Sequence, residues 1–184
     1  MSVYKLTYRL KSYLSLIVSA DALEEKLGAV TYPKGEPLKD IWHPLEASFY
    51  NRYNDNSEGK LPEISDWVGN MVLSAAAFQS LEPLLAPFGE FLPIHVNGVD
   101  WYIYNATTIY NCIDESLSSR NVMDGVVMDI AALKFNEAKL GTAPVFRTDY
   151  DRRMGVYCSQ AFKDAVQAQG FEAVLFREDL TSPM

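Results

Sequence analysis

One short pattern of apolar and polar residues occurs three times along the chain. Each copy has two apolar residues, a small Ser or Cys, two variable positions, Ala, and then Leu or Phe. The copies are IVSADAL at 17–23, VLSAAAF at 72–78 and VYCSQAF at 156–162. They begin 55 and 84 residues apart, and this unequal spacing excludes a regular solenoid. The pattern predicts one structural unit that the fold uses three times.

Each unit predicts a strand that runs into a capped helix. The apolar pair ends the strand, and the Ala and the large apolar residue begin the buried stripe of the helix. Ser19 and Ser74 stand where a side chain caps a helix by accepting a backbone N–H bond. In the third unit Cys158 takes this position, so Ser159 is predicted as the cap.

The stretch EFLPIHVNGVDWYIY at 90–104 predicts a β-hairpin. Asn and Gly at 97–98 lie between two apolar-rich runs and tolerate the positive φ of a two-residue turn, which sets His95 opposite Asp100. One predicted face carries Leu92, Ile94, Val96, Val99, Trp101 and Ile103, and the other carries Pro93, His95, Asp100, Tyr102 and Tyr104. The first face is apolar and is predicted to lie inside, and the second is predicted to point outward.

Three further stretches predict secondary structure. The opening SVYKLTYRL predicts a strand, and the apolar residues of NATTIYNCIDES at 105–116 recur at helical spacing, which predicts a helix capped by Asn105. Asp124 and Gly125 predict a tight turn before the strand-like run VVMDIAALKF. Together these elements predict an α+β fold of mixed sheet elements, with repeated strand-to-capped-helix units and a central β-hairpin.

A polar stretch, NRYNDNSEGKLPE at 51–63, predicts a linker or long loop, because turn-forming Asn, Asp, Ser, Gly and Pro cluster there. We therefore expect an N-terminal extension or subdomain of residues 1–65 and an α+β domain of residues 66–184. With 184 residues, of which 48% are apolar, the chain is long enough to bury a sizeable core.

Composition and charge exclude several classes of protein. The longest apolar runs have about eight residues, less than half of the roughly 20 that span a bilayer, so no membrane segment is predicted. A formal net charge of −8 argues against a nucleic-acid partner, which needs basic residues along the phosphate backbone. The start of the chain superficially matches a signal peptide, but two Ser residues interrupt the apolar run of YLSLIVSADA. Two cysteines are too few for a secreted disulfide scaffold, so we expect reduced thiols and a cytoplasmic location.

Acidic residues are unevenly distributed. From Leu61 to Ser119, 59 residues include no Lys or Arg. The acids of this segment are Glu63, Asp66, Glu82, Glu90, Asp100, Asp114 and Glu115. If several of them share one face, that face is strongly negative and suits a basic partner. The alternative is a solvated surface that only keeps the protein soluble.

The sequence offers little support for catalysis. No motif for a zinc protease, a hydrolase elbow, a P-loop or a dinucleotide site occurs. The best catalytic set is Cys112 or Cys158 as the nucleophile, with His95 as the base and Asp100 as the orienting acid. A cross-strand His and Asp are more often a surface pair, and cysteines in apolar surroundings are more often core residues. We therefore predict no catalytic residues, no metal site and no cofactor.

Several stretches of the chain resemble one known family. They are WVGNMVLSAAAFQSLEPLLAPFGEFLPIHVNGVDWYIYNATTIYNCIDESLSS at 67–119, then ALKF, PVFRTD and the closing GVYCSQAFKDAVQAQGFEAVLF. In this order they resemble the eleventh immunity-protein family of bacterial polymorphic toxin systems, formerly catalogued as a domain of unknown function. The resemblance covers residues 66–178, and its most specific parts are WYIYNATTIYNCIDESLS and the last strand-to-helix unit.

This resemblance implies a cytoplasmic, non-enzymatic inhibitor that is encoded next to a toxin gene. Such a protein binds the cognate toxin domain and blocks it. An acidic surface speeds the encounter with a basic toxin and helps to discriminate between partners. The predicted partner-binding residues are Glu90, Asp100, Asp114, Glu115 and Asp124, with Tyr102 and Tyr104 as aromatic anchors. Tyr pairs on a strand also stabilise sheets, so both interpretations of the two Tyr residues stay open. The alternative functions are a general protein-binding or scaffold domain and a Cys-dependent enzyme.

Overall fold

The computed structural model describes residues 2–29, 32–53, 59–124 and 126–181. The strands are β1 (Val3–Tyr8), β2 (Ser15–Val18), β3 (Leu45–Tyr50), β4 (Ile64–Trp67), β5 (Asn70–Ser74), β6 (Gly89–Val96), β7 (Val99–Ala106), β8 (Ser119–Met123), β9 (Val126–Ala132), β10 (Val145–Phe146), β11 (Tyr157–Ser159) and β12 (Val174–Arg177). The helices are α1 (Ala20–Leu27), α2 (Ala75–Leu85) and α3 (Gln160–Ala168), with short 3-10 helices at Ala86–Phe88, Glu137–Lys139 and Asp149–Asp151. This is the predicted α+β fold.

Two larger sheets build the body of the protein. Six strands form a mixed sheet in the order β2-β3-β6-β7-β5-β4, in which β3 and β6 run parallel and the other neighbours run antiparallel. Its end strands, β2 and β4, lie close to each other without forming a ladder, so the sheet is nearly closed into a barrel. The second sheet is antiparallel in the order β10-β11-β1-β12.

Both faces of the six-stranded sheet are buried around β5. Side chains of a strand alternate between two faces, and in β5 Val72 joins a cluster with Trp42 and Trp101, whereas Leu73 joins a cluster with α2, α3 and the four-stranded sheet. A strand covered on both faces has a continuous apolar run instead of an alternating one, as NMVLS does. A third, smaller cluster surrounds Phe146.

All three predicted strand-to-helix units occur, with β2 leading into α1, β5 into α2 and β11 into α3. Ser19 accepts a hydrogen bond from the Ala22 N–H at 3.0 Å, and Ser74 accepts one from the Ala77 N–H at 3.2 Å. Ser159 occupies the cap position of α3, but its buried side chain makes no capping bond. The first two caps are therefore confirmed in full, and the third only in position.

The central hairpin is confirmed, and one of its faces differs from the prediction. β6 and β7 join through the turn at 97–98, whose residues both have positive φ, and Trp101 is 4% exposed. Tyr104 was predicted to point outward, which is wrong, because α2 covers that face. Tyr104 is 1% exposed and its hydroxyl donates to the Leu85 carbonyl at 3.0 Å. Val99, the first residue after the turn, was predicted inside and is 55% exposed, whereas its cross-strand partner Val96 is 5% exposed.

The helix predicted at 105–116 is wrong. β7 continues through Asn105, and the described residues that follow it contain no helix before β8. Ile109 instead forms an isolated bridge with Arg147, beside β10, and Ile113 forms one with the segment after β9. The backbone bonds of this stretch run to distant segments, and the helical spacing reflects side chains that reach the core from an extended chain.

β8 and β9 form a separate two-stranded sheet, which we call the arm (residues 119–132). The predicted strand at 126–135 is confirmed over Val126–Ala132. At the predicted turn Asp124 has a φ of 51°, and Gly125 lies outside the described residues.

Strands from the first 65 residues belong to both larger sheets. β1 lies between β11 and β12, while β2 and β3 form one end of the six-stranded sheet. The division of the chain between residues 65 and 66 stays a prediction. Among the described helices, none is long and apolar enough to cross a bilayer.

Candidate partner-binding surfaces

Two of the predicted acids lie at opposite ends of the central hairpin. Asp100 is exposed at the turn end, where its Oδ1 lies 2.9 Å from Nδ1 of His95. Glu90 lies at the far end and is partly buried. Its carboxylate accepts hydrogen bonds from the Leu38 N–H at 2.9 Å and from Nδ2 of Asn105 at 3.1 Å. Glu90 therefore attaches the segment around Leu38 to the sheet, whereas Asp100 remains exposed beside His95.

The two predicted Tyr anchors are also in different surroundings. Tyr102 is half-buried and stacks on Phe78 of α2, with ring centroids 4.0 Å apart and an interplanar angle of 21°. Tyr104 is packed against Phe91 and enclosed, and burial raises the pKa of its hydroxyl well above the ordinary value. Of the two, Tyr102 alone presents side-chain surface to a partner.

The remaining predicted acids, Asp114, Glu115 and Asp124, lie at the base or the tip of the arm. Oδ1 of Asp114 accepts hydrogen bonds from Oγ of Ser116 at 2.6 Å and from its N–H at 3.1 Å, and these bonds lower the pKa of Asp114. Glu115 is exposed and lines a depression together with Arg120. Asp124 is exposed at the tip. The fold thus brings three of the seven predicted residues to one structural feature.

Exposed apolar side chains accompany these acids. On the arm and just before it, the side chains of Leu117, Val122, Met123 and Met128 are each more than half exposed. The guanidinium of Arg120 lies 4.4 Å from the centre of the Tyr150 ring, and its Nη1 donates to the Tyr150 carbonyl at 3.3 Å, which attaches the base of the arm to the body. Flexible Met side chains adapt to irregular contacts. Exposed Met side chains are enriched at protein-binding surfaces, and polar groups are typical of their rims.

A groove between β2 and β4 is the second exposed apolar feature, with a volume of about 640 Å³. Five of its large apolar lining residues are 38–47% exposed: Ile17, Tyr32, Tyr50, Val68 and Met154. Asp66 also lines the groove. Burial raises the pKa of this carboxyl to about 6, although a bond from the Gly69 N–H and the charge of Arg52 act in the opposite direction. Sequence analysis missed this surface.

Val68 has the most unusual backbone in the groove. It and Gly69 form the two-residue turn between β4 and β5, and their φ values are 49° and 74°. A hairpin turn of this kind requires positive φ at both positions, which suits Gly but strains a β-branched residue. Strained residues of this kind cluster at functional sites. Gly69 was the local sequence signal for this turn.

The catalytic set considered from the sequence is not assembled. Cys112 and Cys158 are both fully buried and unbridged. Burial raises the pKa of the Cys112 thiol to about 11 and that of the Cys158 thiol further, so neither is a thiolate near neutral pH. Within the described ranges, no hydrogen bond joins either thiol to His95, and no group of His, Cys, Asp and Glu residues is placed to hold a metal ion.

The fold and its exposed apolar surfaces define an α+β domain with the surface features of a protein-binding module. A model of the immunity protein family Imm11 matches residues 45–180, and the chain belongs to this family. The match confirms the resemblance found in the sequence, and it begins before the predicted boundary at residue 66. No curated protein matches the chain.

Proposed function

We propose that the chain is a non-enzymatic immunity protein that binds a cognate toxin domain in the cytoplasm and blocks it. Membership of the immunity family, over residues 45–180, is the observation that carries this proposal. A bound inhibitor needs exposed surface that a partner can bury, and the arm supplies it.

Recognition, in this proposal, begins with long-range charge. The chain has a formal net charge of −8, and the exposed acids Asp100, Glu115 and Asp124 attract a basic toxin domain. Asp114 shapes the turn that leads into β8 and adds its charge beside Glu115 at the base of the arm. Glu90 and Tyr104, which we predicted as contacts, support the binding surface from inside the fold.

Short-range contacts then hold the complex. The exposed Met123 and Met128 of the arm, together with Tyr102 on the hairpin, are the apolar groups that a partner can bury beside the acids. Central, fully desolvated apolar contacts slow dissociation, whereas peripheral charges mainly set the association rate.

Co-expression with the product of the neighbouring gene tests the proposal. We expect the intact chain to restore growth of cells that make this toxin, and a Leu73→Asp variant, with a charge at a fully buried position, to serve as the misfolded control. Purified chain should neutralise the toxin at one molecule per toxin molecule, because a bound inhibitor does not turn over. Growth arrest that persists with the intact chain would contradict the proposed function, and neutralisation far below equimolar amounts would contradict its non-enzymatic character.

A further inference from the structure

We propose that the groove between β2 and β4 binds an extended segment of the partner toxin domain, with an apolar side chain against Val68 and a Lys or Arg beside Asp66. The inference rests on the proposed function and adds to it a second contact surface, separate from the arm. It is carried by four observations: two free strand edges, an unpartnered buried hydroxyl, a strained apolar residue and a partly buried carboxylate.

The walls of the groove are the edges of two strands. β2 and β4 are the ends of the six-stranded sheet, and no backbone hydrogen bond joins Ser15–Val18 to Ile64–Trp67 in the described chain. Just before these strands the two segments are joined, because the Leu14 N–H donates a hydrogen bond to the Lys60 carbonyl at 2.9 Å. The seam is therefore pinned at one end and unpaired beyond it. Free strand edges recognise extended segments through backbone hydrogen bonds.

A buried polar group at the groove also lacks a partner. Ser15 is 4% exposed, lines the groove, and its Oγ makes no hydrogen bond with any described residue. Leaving a buried hydroxyl unpaired costs free energy, which a backbone N–H or C=O of a bound segment would recover. An extended segment supplies such groups at regular intervals.

The strain at Val68 is enforced from elsewhere in the fold. Nη2 of the buried Arg147 donates to the Gly69 carbonyl at 3.2 Å and to Oδ1 of Asn70 at 2.6 Å, and Nδ2 of Asn70 donates to the Val68 carbonyl at 3.3 Å. Strain persists only where the surroundings determine it. The result is an apolar side chain, 46% exposed, held at the groove next to Ile17 and Tyr50 instead of being buried.

Charge selects the side chain that accompanies the apolar anchor. Asp66 at the groove is a partly buried carboxyl, the exposed Arg52 lines the same groove, and the chain as a whole is acidic. A cation on the bound segment stabilises the ionised form of this carboxyl, which burial disfavours. The occupant that fits is therefore an extended segment with an apolar residue and a neighbouring Lys or Arg.

Affinity for the toxin domain of the neighbouring gene, measured with the intact chain and matched variants, tests the groove. Val68→Gly removes the apolar side chain where Gly is the favoured residue, so we expect an undiminished melting temperature and an affinity lower by about tenfold or more. Ile17→Ser should also weaken binding. Ile41→Ser, which changes an equally exposed Ile outside the groove, should not.

Hydrogen exchange supplies the backbone readout. Toxin binding should slow exchange of amides in Ser15–Val18 or in Ile64–Trp67, since an extended segment would bond to one of these edges. If the intact chain binds the toxin but Val68→Gly and Ile17→Ser bind equally well and exchange in both strands is unchanged, the groove is not a toxin site. If the intact chain does not bind, the proposed function fails, and the occupant inferred for the groove fails with it.

Discussion

Nη2 of the buried Arg147 donates a hydrogen bond to Oδ1 of Asn70 over 2.6 Å and thereby joins the two sheets. Arg147 directly follows β10 of the four-stranded sheet, and Asn70 begins β5 of the six-stranded sheet. The same guanidinium donates from Nη1 to the Arg153 carbonyl at 2.7 Å, so its bonds go to an amide oxygen and to backbone carbonyls rather than to a carboxylate. One side chain thus ties together the packing of the sheets and the turn at the groove.

Replacing this guanidinium should destabilise the protein. We expect Arg147→Met to lower the free energy of unfolding by about 2–4 kcal/mol, because buried oxygens of the turn lose their donor. Urea unfolding measures the change. Arg153→Met, at a residue whose side chain pairs with Glu36 and Asp149 at the surface, is the control and should cost about 1 kcal/mol or less. Equal effects of the two substitutions would contradict the role of Arg147.

Relieving the strain at Val68 should stabilise the protein. A non-Gly residue in the left-handed region costs roughly 1–2 kcal/mol, so Val68→Gly should raise the free energy of unfolding by about 1 kcal/mol after the greater entropy of an unfolded Gly is counted. Thermal and urea unfolding measure it. Val122→Gly is the matched control, because Val122 is an exposed strand residue without positive φ, and there the same change should destabilise. Loss of stability in both variants would contradict the strain.

Asp66 makes stability depend on pH. Burial raises its pKa in the folded protein to about 6, so the folded state holds this proton more tightly than the unfolded state does. The contribution of this carboxyl to the free energy of unfolding is therefore complete below the ordinary pKa of about 4. It is lost as pH rises through 6. Asp66→Asn should add on the order of 1–2 kcal/mol of stability at pH 8 and little at pH 4. An exposed acid, Asp40, changed to Asn is the control; a gain from Asp66→Asn that is equal at both pH values would contradict the shift.

Both thiols should react slowly in the folded protein. Burial raises the pKa of Cys112 to about 11 and raises the pKa of Cys158, and both side chains are fully covered. A thiol reagent at pH 7 should therefore modify neither before unfolding and both after it, since the thiolate is the reactive form. Single Cys→Ala variants assign any signal. Rapid labelling of either thiol in the native protein would contradict this burial and revive the Cys-dependent enzyme.

Charge at the arm should control the rate of toxin association. The pair Glu115→Lys and Asp124→Asn should slow association and weaken its salt dependence, with little change in stability, because both side chains are exposed. Asn suits the positive φ at Asp124. Rates at two salt concentrations measure the effect, and Glu25→Gln on α1 is the control. Tyr102→Ala should instead speed dissociation. An unchanged association rate in the arm variant would contradict this prediction and mean that these acids are only solvated surface residues.

Local sequence signals predicted those parts of the fold whose partners are close along the chain. The Asn-Gly turn sets the register of β6 and β7, and Ser19 and Ser74 cap helices that begin at the next residue. These features depend on backbone geometry and on hydrogen bonds that span a few residues, so a short stretch of sequence contains their cause.

Long-range packing decided the rest. Asn105 was predicted to cap a helix, but its Oδ1 accepts from the Gly35 N–H, 70 residues away, and its strand continues. Tyr104 is buried because α2 folds over its face of the hairpin, which alternation along the strand cannot reveal. The same reason separates Glu90 from Asp100, since the segment around Leu38 covers one and leaves the other exposed.

By itself, then, the sequence determined the α+β class, the three strand-to-helix units, the hairpin register and the acidic character, each of which follows from residue type and near neighbours. Tertiary structure alone decided which acids stay exposed and that β2 and β4 meet at an unpaired seam. It also placed Val68 at this seam. The neighbouring Gly69 carbonyl accepts a hydrogen bond from Arg147, which lies 78 positions later in the chain. The physical reason is that burial, pKa and backbone strain depend on contacts between residues far apart in the chain, and a local pattern does not specify those contacts.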